Sequence, residues 1–275
     1  MRDKASVKRL ATVEAVALAP ARLVYSVWIA LAFLAVGVAA LVLLALLPGV
    51  ARRRAAARAA ARAFLRLAGI PLRVKFLERL PPGQCVVVCN HASYLDGIVL
   101  TAALPPRFGF VVKREMAGVP LAGVVLRRLG SEFVERFDRQ RGATDARRVL
   151  RNASNGQSLV FFPEGTFTRT PGLLKFHTGA FVTAARVGCP VGPAVVRGTR
   201  RALPPSGALA SPGRIELEIL TPITGGPATP ARVAAELRDR ARTAILAALG
   251  EPDLTCCADT ARPPDRARAK SARAS

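Results

Sequence analysis

Residues 85–104 read Cys-Val-Val-Val-Cys-Asn-His-Ala-Ser-Tyr-Leu-Asp-Gly-Ile-Val-Leu-Thr-Ala-Ala-Leu. The run Cys85 to Cys89 is apolar at every position, as a short strand buried on both faces requires, and Leu95 to Leu104 suits a helix. Strand, polar turn and helix in that order form the opening of a βα unit. Downstream, the pattern repeats: strands are expected at Phe108 to Val112, Glu132 to Val134, Ser158 to Phe162 and Val191 to Val196. Helices are expected at Thr144 to Asn152 and Gly179 to Val187. Ile215 to Leu220 alternates apolar and polar residues like a half-buried edge strand, and Ala231 to Leu249 reads as a closing helix stopped by Gly250. The fold class expected is α/β: a mixed, largely parallel sheet flanked by helices, with an N-terminal membrane-embedded helical segment.

That N-terminal segment is Leu23 to Ala51, 29 residues without a charge. About 20 apolar residues cross a bilayer, so the stretch can span it or bend within one leaflet. A cleaved signal would be shorter and would not run into Arg52, Arg53 and Arg54. Arg54, Arg58, Arg62 and Arg66 then recur every four residues, tracing one stripe that suits a helix lying on lipid or a solvated face. The organisation expected is a basic segment at 1–22, a span or re-entrant anchor at 23–51, a basic interfacial helix at 52–70, a catalytic domain at 71–250 and a basic tail at 251–275. The positive flanks place the bulk of the chain on the cytoplasmic face of the cell (inner) membrane.

Composition narrows the partners. The 275 residues are 51% hydrophobic and 21% charged, which excludes wholesale disorder, and they suffice for one core. A formal charge of +23 calls for a polyanionic partner. With 5% aromatic residues, one Trp and two Tyr, base stacking on nucleic acid is poorly served, so an anionic bilayer surface is expected and no nucleic acid. Five cysteines without framework spacing read as reduced thiols.

Only His91 and His177 offer an imidazole. His91 follows the first strand and Asp96 stands five residues on, so a turn between them lets the carboxylate reach the ring and make a general base. The same position also suits an acidic residue satisfying amides at the helix start. Cys85, Cys89 and His91 lie on one side of a continuous strand and admit a metal or thiolate reading, though no fourth ligand is near. His177 reads as a helix-entry residue. A second loop, Phe161-Phe162-Pro163-Glu164-Gly165-Thr166-Phe167-Thr168-Arg169, presents an acid, hydroxyls and an Arg after another buried strand. Glu164 there could bind substrate hydroxyls, and Arg169 an anion.

Together these loops resemble the glycerolipid acyltransferases, most closely the 1-acylglycerol-3-phosphate (lysophosphatidate) acyltransferase family. Asn90-His91 through Asp96 is similar to that family's H-x4-D block, Gly130 through Glu135-Arg136 to its second, Phe162 through Thr166 to its third, and Cys189-Pro190-Val191-Gly192-Pro193 to its fourth. The resemblance implies a general-base dyad of His91 and Asp96, and an acceptor site containing Glu164, Gly165, Thr166 and Arg136, with Lys113 near the acceptor's phosphate. It implies no metal and no cofactor, with an acyl-coenzyme A or acyl-carrier-protein thioester as co-substrate and a lysophospholipid as acceptor. The chain departs from the pattern where Phe167 and Thr168 precede Arg169, which leaves the head group open. A membrane-tethered basic binding protein without activity is the alternative.

Overall fold

A computed structural model describes residues 19–135, 139–205 and 209–255. Helix α1 spans Ala19–Leu46 and α2 Val50–Leu67, and they are followed by β1 (Leu72–Lys75), β2 (Val86–Cys89), α3 (Leu95–Ala103), β3 (Phe108–Lys113) and α4 (Ala122–Arg128). Then come β4 (Glu132–Val134), α5 (Arg139–Ser154), β5 (Ser158–Phe161), α6 (Gly179–Val187), β6 (Val191–Arg197), the single-turn α7 (Thr199–Ala202), β7 (Ile215–Ile219) and α8 (Pro230–Leu249). Among the described residues the strands form one seven-stranded sheet in the order β1-β7-β6-β2-β5-β3-β4.

Five strands, β6, β2, β5, β3 and β4, run parallel, so the loops after all five emerge at one edge. β2 lies between β5 and β6, with Val88 level with Phe161 and Cys89 with Ala194. Every residue of β2 is buried, since α3 and α6 to α8 cover the two faces. Fully burying one such Val contributes about 1.5 kcal/mol or more.

Two expectations are corrected here. Residues 215–219 are not an edge: β7 pairs antiparallel with β6 on one side and parallel with β1 on the other, so β1 is the edge strand. The burial alternation that suggested an edge comes from Lys75, Arg197, Glu216 and Glu218, which pair across the outer face.

The arginine stripe of α2 is also placed otherwise. Arg54 donates to the carbonyls of Leu129, Arg107 and Gly130, Arg58 to those of Ala102 and Ala103, and Arg62 to Ala102 at 2.8 Å. Ala102 and Ala103 close α3, whose last carbonyls have no partner within the helix and form the negative end of its dipole. Three of the four arginines therefore fasten α2 to α3 and the loops beside it, and Arg66 stays exposed. Antiparallel to α2 lies α1, with the Tyr25 hydroxyl donating to Ala68 O and the Trp28 indole to Leu67 O, both at 2.8 Å. Phe33 meets Phe64 edge-on at 5.5 Å. The outer side of α1 exposes Leu23, Val24, Val27, Leu31, Leu34 and Val38.

Candidate active site

The turn Asn90–Tyr94 leaves β2 and folds back on the first turn of α3. Asn90 extends the ladder by side chain: its Oδ1 accepts Val196 N–H at 2.8 Å and its Nδ2 donates to Val196 O at 3.0 Å. This bond ties the end of β2 to β6 and fixes where His91 begins. Asp96, fully buried at the second position of α3, turns one oxygen back into the loop. That oxygen, Oδ2, meets His91 Nδ1 at 2.7 Å and accepts Ala92 N–H at 2.6 Å and Ser93 N–H at 2.8 Å. Asp96 thus reaches the imidazole and satisfies amides of the turn through one and the same atom. Oδ1 is buried without a hydrogen-bond partner among the described residues. With Nδ1 engaged by a carboxylate, Nε2 is the ring nitrogen left to take a proton.

Glu164 arrives from β5, the neighbouring strand. Gly165 adopts φ +75° and donates its N–H to Phe162 O, a left-handed turn that favours glycine and swings Glu164 inward. Its Oε1 accepts His91 N–H at 2.6 Å and its Oε2 accepts Leu174 N–H at 2.9 Å. Glu164 is 4% exposed. Both oxygens accept main-chain amides, so Glu164, expected as a substrate ligand, also joins the two motif loops. Burial pushes its carboxyl up to about 7, opposed by the amides of Leu174 and His91 and the nearby Arg200 guanidinium.

The His91 ring lies between aromatics. Phe162 stacks on it at 4.2 Å, Phe167 meets it edge-on at 4.5 Å, and Tyr94 meets Phe167 at 4.9 Å. The His91 side chain is 18% exposed, so it is largely but not wholly withdrawn from solvent. Behind Phe167, Arg200 donates to Thr168 O at 2.5 Å and Thr170 O at 3.1 Å, and to Glu251 Oε2 at 3.3 Å. Glu251 in turn accepts Gly172 N–H. Arg200, Asn90 and the aromatic pair went unassigned in the sequence reading. Only the loop after β6 could have signalled Arg200, through the pair Arg200-Arg201.

The other expected site residues spread along the same edge. Lys113 ends β3, half-buried, and its side chain makes no hydrogen bond or ion pair among the described residues. Strands lie about 4.8 Å apart, so the end of β3 sits roughly 10 Å from that of β2. Thr166 and Arg169 are exposed, and Gly165 serves the turn. Arg136 lies outside the described residues. Its flank is firmly held: Asp145, buried in α5, accepts Glu135 N–H at 2.9 Å and pairs with Arg114 and Arg148. Cys85 and Cys89 are buried, and burial raises both thiols, against the thiolate that a nucleophile needs. His177 is exposed before α6, its N–H bonded to Pro163 O. A small crevice bordered by Arg54, Leu100, Thr101 and Leu104 lies at the far end of α3, away from His91.

Residues 71–197 match the family model described as Acyltransferase. A chloroplastic 1-acyl-sn-glycerol-3-phosphate acyltransferase of Brassica napus is 32% identical over 158 residues, 56% of this chain and 46% of that protein. The 1-acyl-sn-glycerol-3-phosphate acyltransferase of Saccharomyces cerevisiae is 30% identical over 159 residues, 57% of this chain and 52% of its own length. The chain thus spans about half the length of these relatives. The crystal structure of the 1-acyl-sn-glycerophosphate acyltransferase PlsC from Thermotoga maritima superposes with a TM-score of 0.68. It shares 21% identity and covers 88% of this chain and 96% of its own, a likeness of fold.

Proposed function

We propose that the protein, whose residues 71–197 match the Acyltransferase family model, transfers a fatty acyl group from a thioester to the free hydroxyl of 1-acylglycerol 3-phosphate. The observation that carries this reading is the imidazole of His91 held at Nδ1 by a fully buried carboxylate, with its side chain still partly exposed. An acyl thioester is already activated, because its leaving thiol has a pKa of about 8.5. The alcohol is the weak partner, and a positioned base contributes roughly 10² to 10⁴ in rate. His91 Nε2 takes the hydroxyl proton as the oxygen attacks the thioester carbonyl. Asp96 stabilises the imidazolium so formed, and the acyl–sulfur bond breaks as the acyl–oxygen bond is completed. The proton then passes to the departing thiolate, and no acyl-enzyme is needed. Lys113, two strands along the edge, would hold the acceptor phosphate together with Arg136 and aim its hydroxyl at His91. Coenzyme A or acyl carrier protein would carry the donor, both being acidic partners for a basic surface. No cofactor takes part in this scheme.

The substrates lie in membranes, and α1 is long and apolar enough to cross one. Its packing favours lying within one leaflet instead. Because α1 runs beside α2 and α2 is fastened to the sheet domain by Arg54, Arg58 and Arg62, a full crossing would drag those arginines and α3 into hydrocarbon. Immersed edge-on, α1 buries its exposed apolar side and leaves α2 with the protein. The inner face of the cell membrane suits such an anchor. Purified protein supplied with an acyl thioester and lysophosphatidate in mixed micelles should yield phosphatidate, and lysophosphatidylcholine should serve more poorly. Equal use of both acceptors would remove the phosphate-centred reading, and no lipid product from either would remove acyl transfer.

A further inference from the structure

Between Met116 and Ser131 the chain holds no acidic residue, and it ends in Arg127 and Arg128, both exposed. Within it, Val119, Leu121 and Val124 are 42%, 59% and 45% exposed, a second cluster of uncovered large apolar side chains. Leu121 is held outward by backbone geometry. Its φ is +62° and ψ −53°, and Ala122 N–H bonds back to Pro120 O at 2.7 Å, closing a tight three-residue turn that a residue with a Cβ rarely adopts. The turn is locked by Gly123, whose N–H donates to Val119 O and where a Cβ would come within 2.3 Å of Ala117 O. Strain of this kind persists where the surrounding structure imposes it, and here it presents an apolar side chain to solvent. Helix α4, which starts at the next residue, packs against α1.

We propose that the strained turn Val119–Val124 is a second membrane-inserting element, which enters the same leaflet as α1 and is flanked by Arg127 and Arg128 for anionic head groups. The occupant is lipid because the patch opens a helix that packs against α1, itself rich in exposed apolar side chains, and carries cations and no acid. The inference rests on the reading that α1 lies in lipid. Two anchoring points would fix the tilt of the domain and with it the height of His91 above the membrane.

Trp28 is the chain's one tryptophan and lies on α1, so each element can be probed alone. Vesicles of phosphatidylcholine and phosphatidylglycerol with brominated acyl chains should quench Trp28 in the wild type and, in W28F/L121W, the new indole at 121. Val119, Leu121 and Val124 changed together to Ser should bind vesicles about tenfold more weakly, with Trp28 still quenched at saturating lipid. L121G, which relieves the turn, should keep or raise the melting temperature while weakening vesicle binding. Quenching at 28 without quenching at 121 overturns the inference and spares α1. Quenching at neither position overturns the membrane reading with it. Concentration-dependent dimerisation abolished by the Ser variant would assign the patch to a second copy instead.

Discussion

Replacement of Asp96 by Asn is expected to lower kcat by about 10³ to 10⁴ while leaving the fold intact. Asp96 concentrates its bonds on Oδ2, which serves His91 Nδ1, Ala92 N–H and Ser93 N–H, while Oδ1 has no partner among the described residues. An amide can put its oxygen in the first position and its NH2 in the second, so all three acceptor bonds survive and only the charge is lost. What then fails is stabilisation of the imidazolium during proton transfer. Asp96→Ala should behave differently, because it strips the acceptor from two buried amides at about 1 to 3 kcal/mol each. Thermal unfolding and steady-state kinetics on the two variants separate the cases. If Asn proved as unstable as Ala, the assignment of Oδ1 as a spare position would fail.

Glu164→Gln should lower kcat by roughly 10²-fold with little change in acceptor KM, since a shift of about 1 Å in a reacting group costs that much. A ligand of the acceptor would show the opposite split. The same variant carries a signature in stability. Burial raises the carboxyl from its ordinary 4.5 to about 7, so the folded chain binds a proton that the unfolded chain has released. Wild-type stability therefore falls as pH rises through that window, by on the order of 3 kcal/mol in full, and the loss is complete above pH 7. Gln has no such slope. Against this, its NH2 must face one of the two amides that Glu164 accepts, a penalty present at every pH. Denaturant midpoints of both proteins at acid and neutral pH measure the difference. Parallel curves would contradict a buried, titrating Glu164.

Much of this architecture could be read from residue order alone, and what escaped has a common cause. β2, α3, β5 and β6 have local signatures, and the five-residue separation of His91 and Asp96 needed only a turn to bring them together. Pairing partners far apart in sequence leave no such trace. β1 meets β7 across some 140 residues, so the edge strand was assigned to the wrong segment. Periodicity correctly put Arg54, Arg58 and Arg62 on one face of a helix but could not show that the terminal carbonyls of α3 would lie opposite. Glu164 was recognisable as important by its loop, yet its role depends on the amides of His91 and Leu174, from two different segments. Arg200 had no signal beyond its charge, and its value comes from the carbonyls of Thr168 and Thr170 that fold places before it.

The central claim is that His91 is the base that activates the acceptor alcohol. Its most direct test measures thiol release and phosphatidate formation together, from acyl thioester and lysophosphatidate, for wild type and His91→Ala. The account predicts one thiol per phosphatidate in the wild type, and both reduced by at least about 10²-fold in the variant, whose fold persists because Ala92 and Ser93 still hold Asp96. Equal turnover by the two proteins would contradict it.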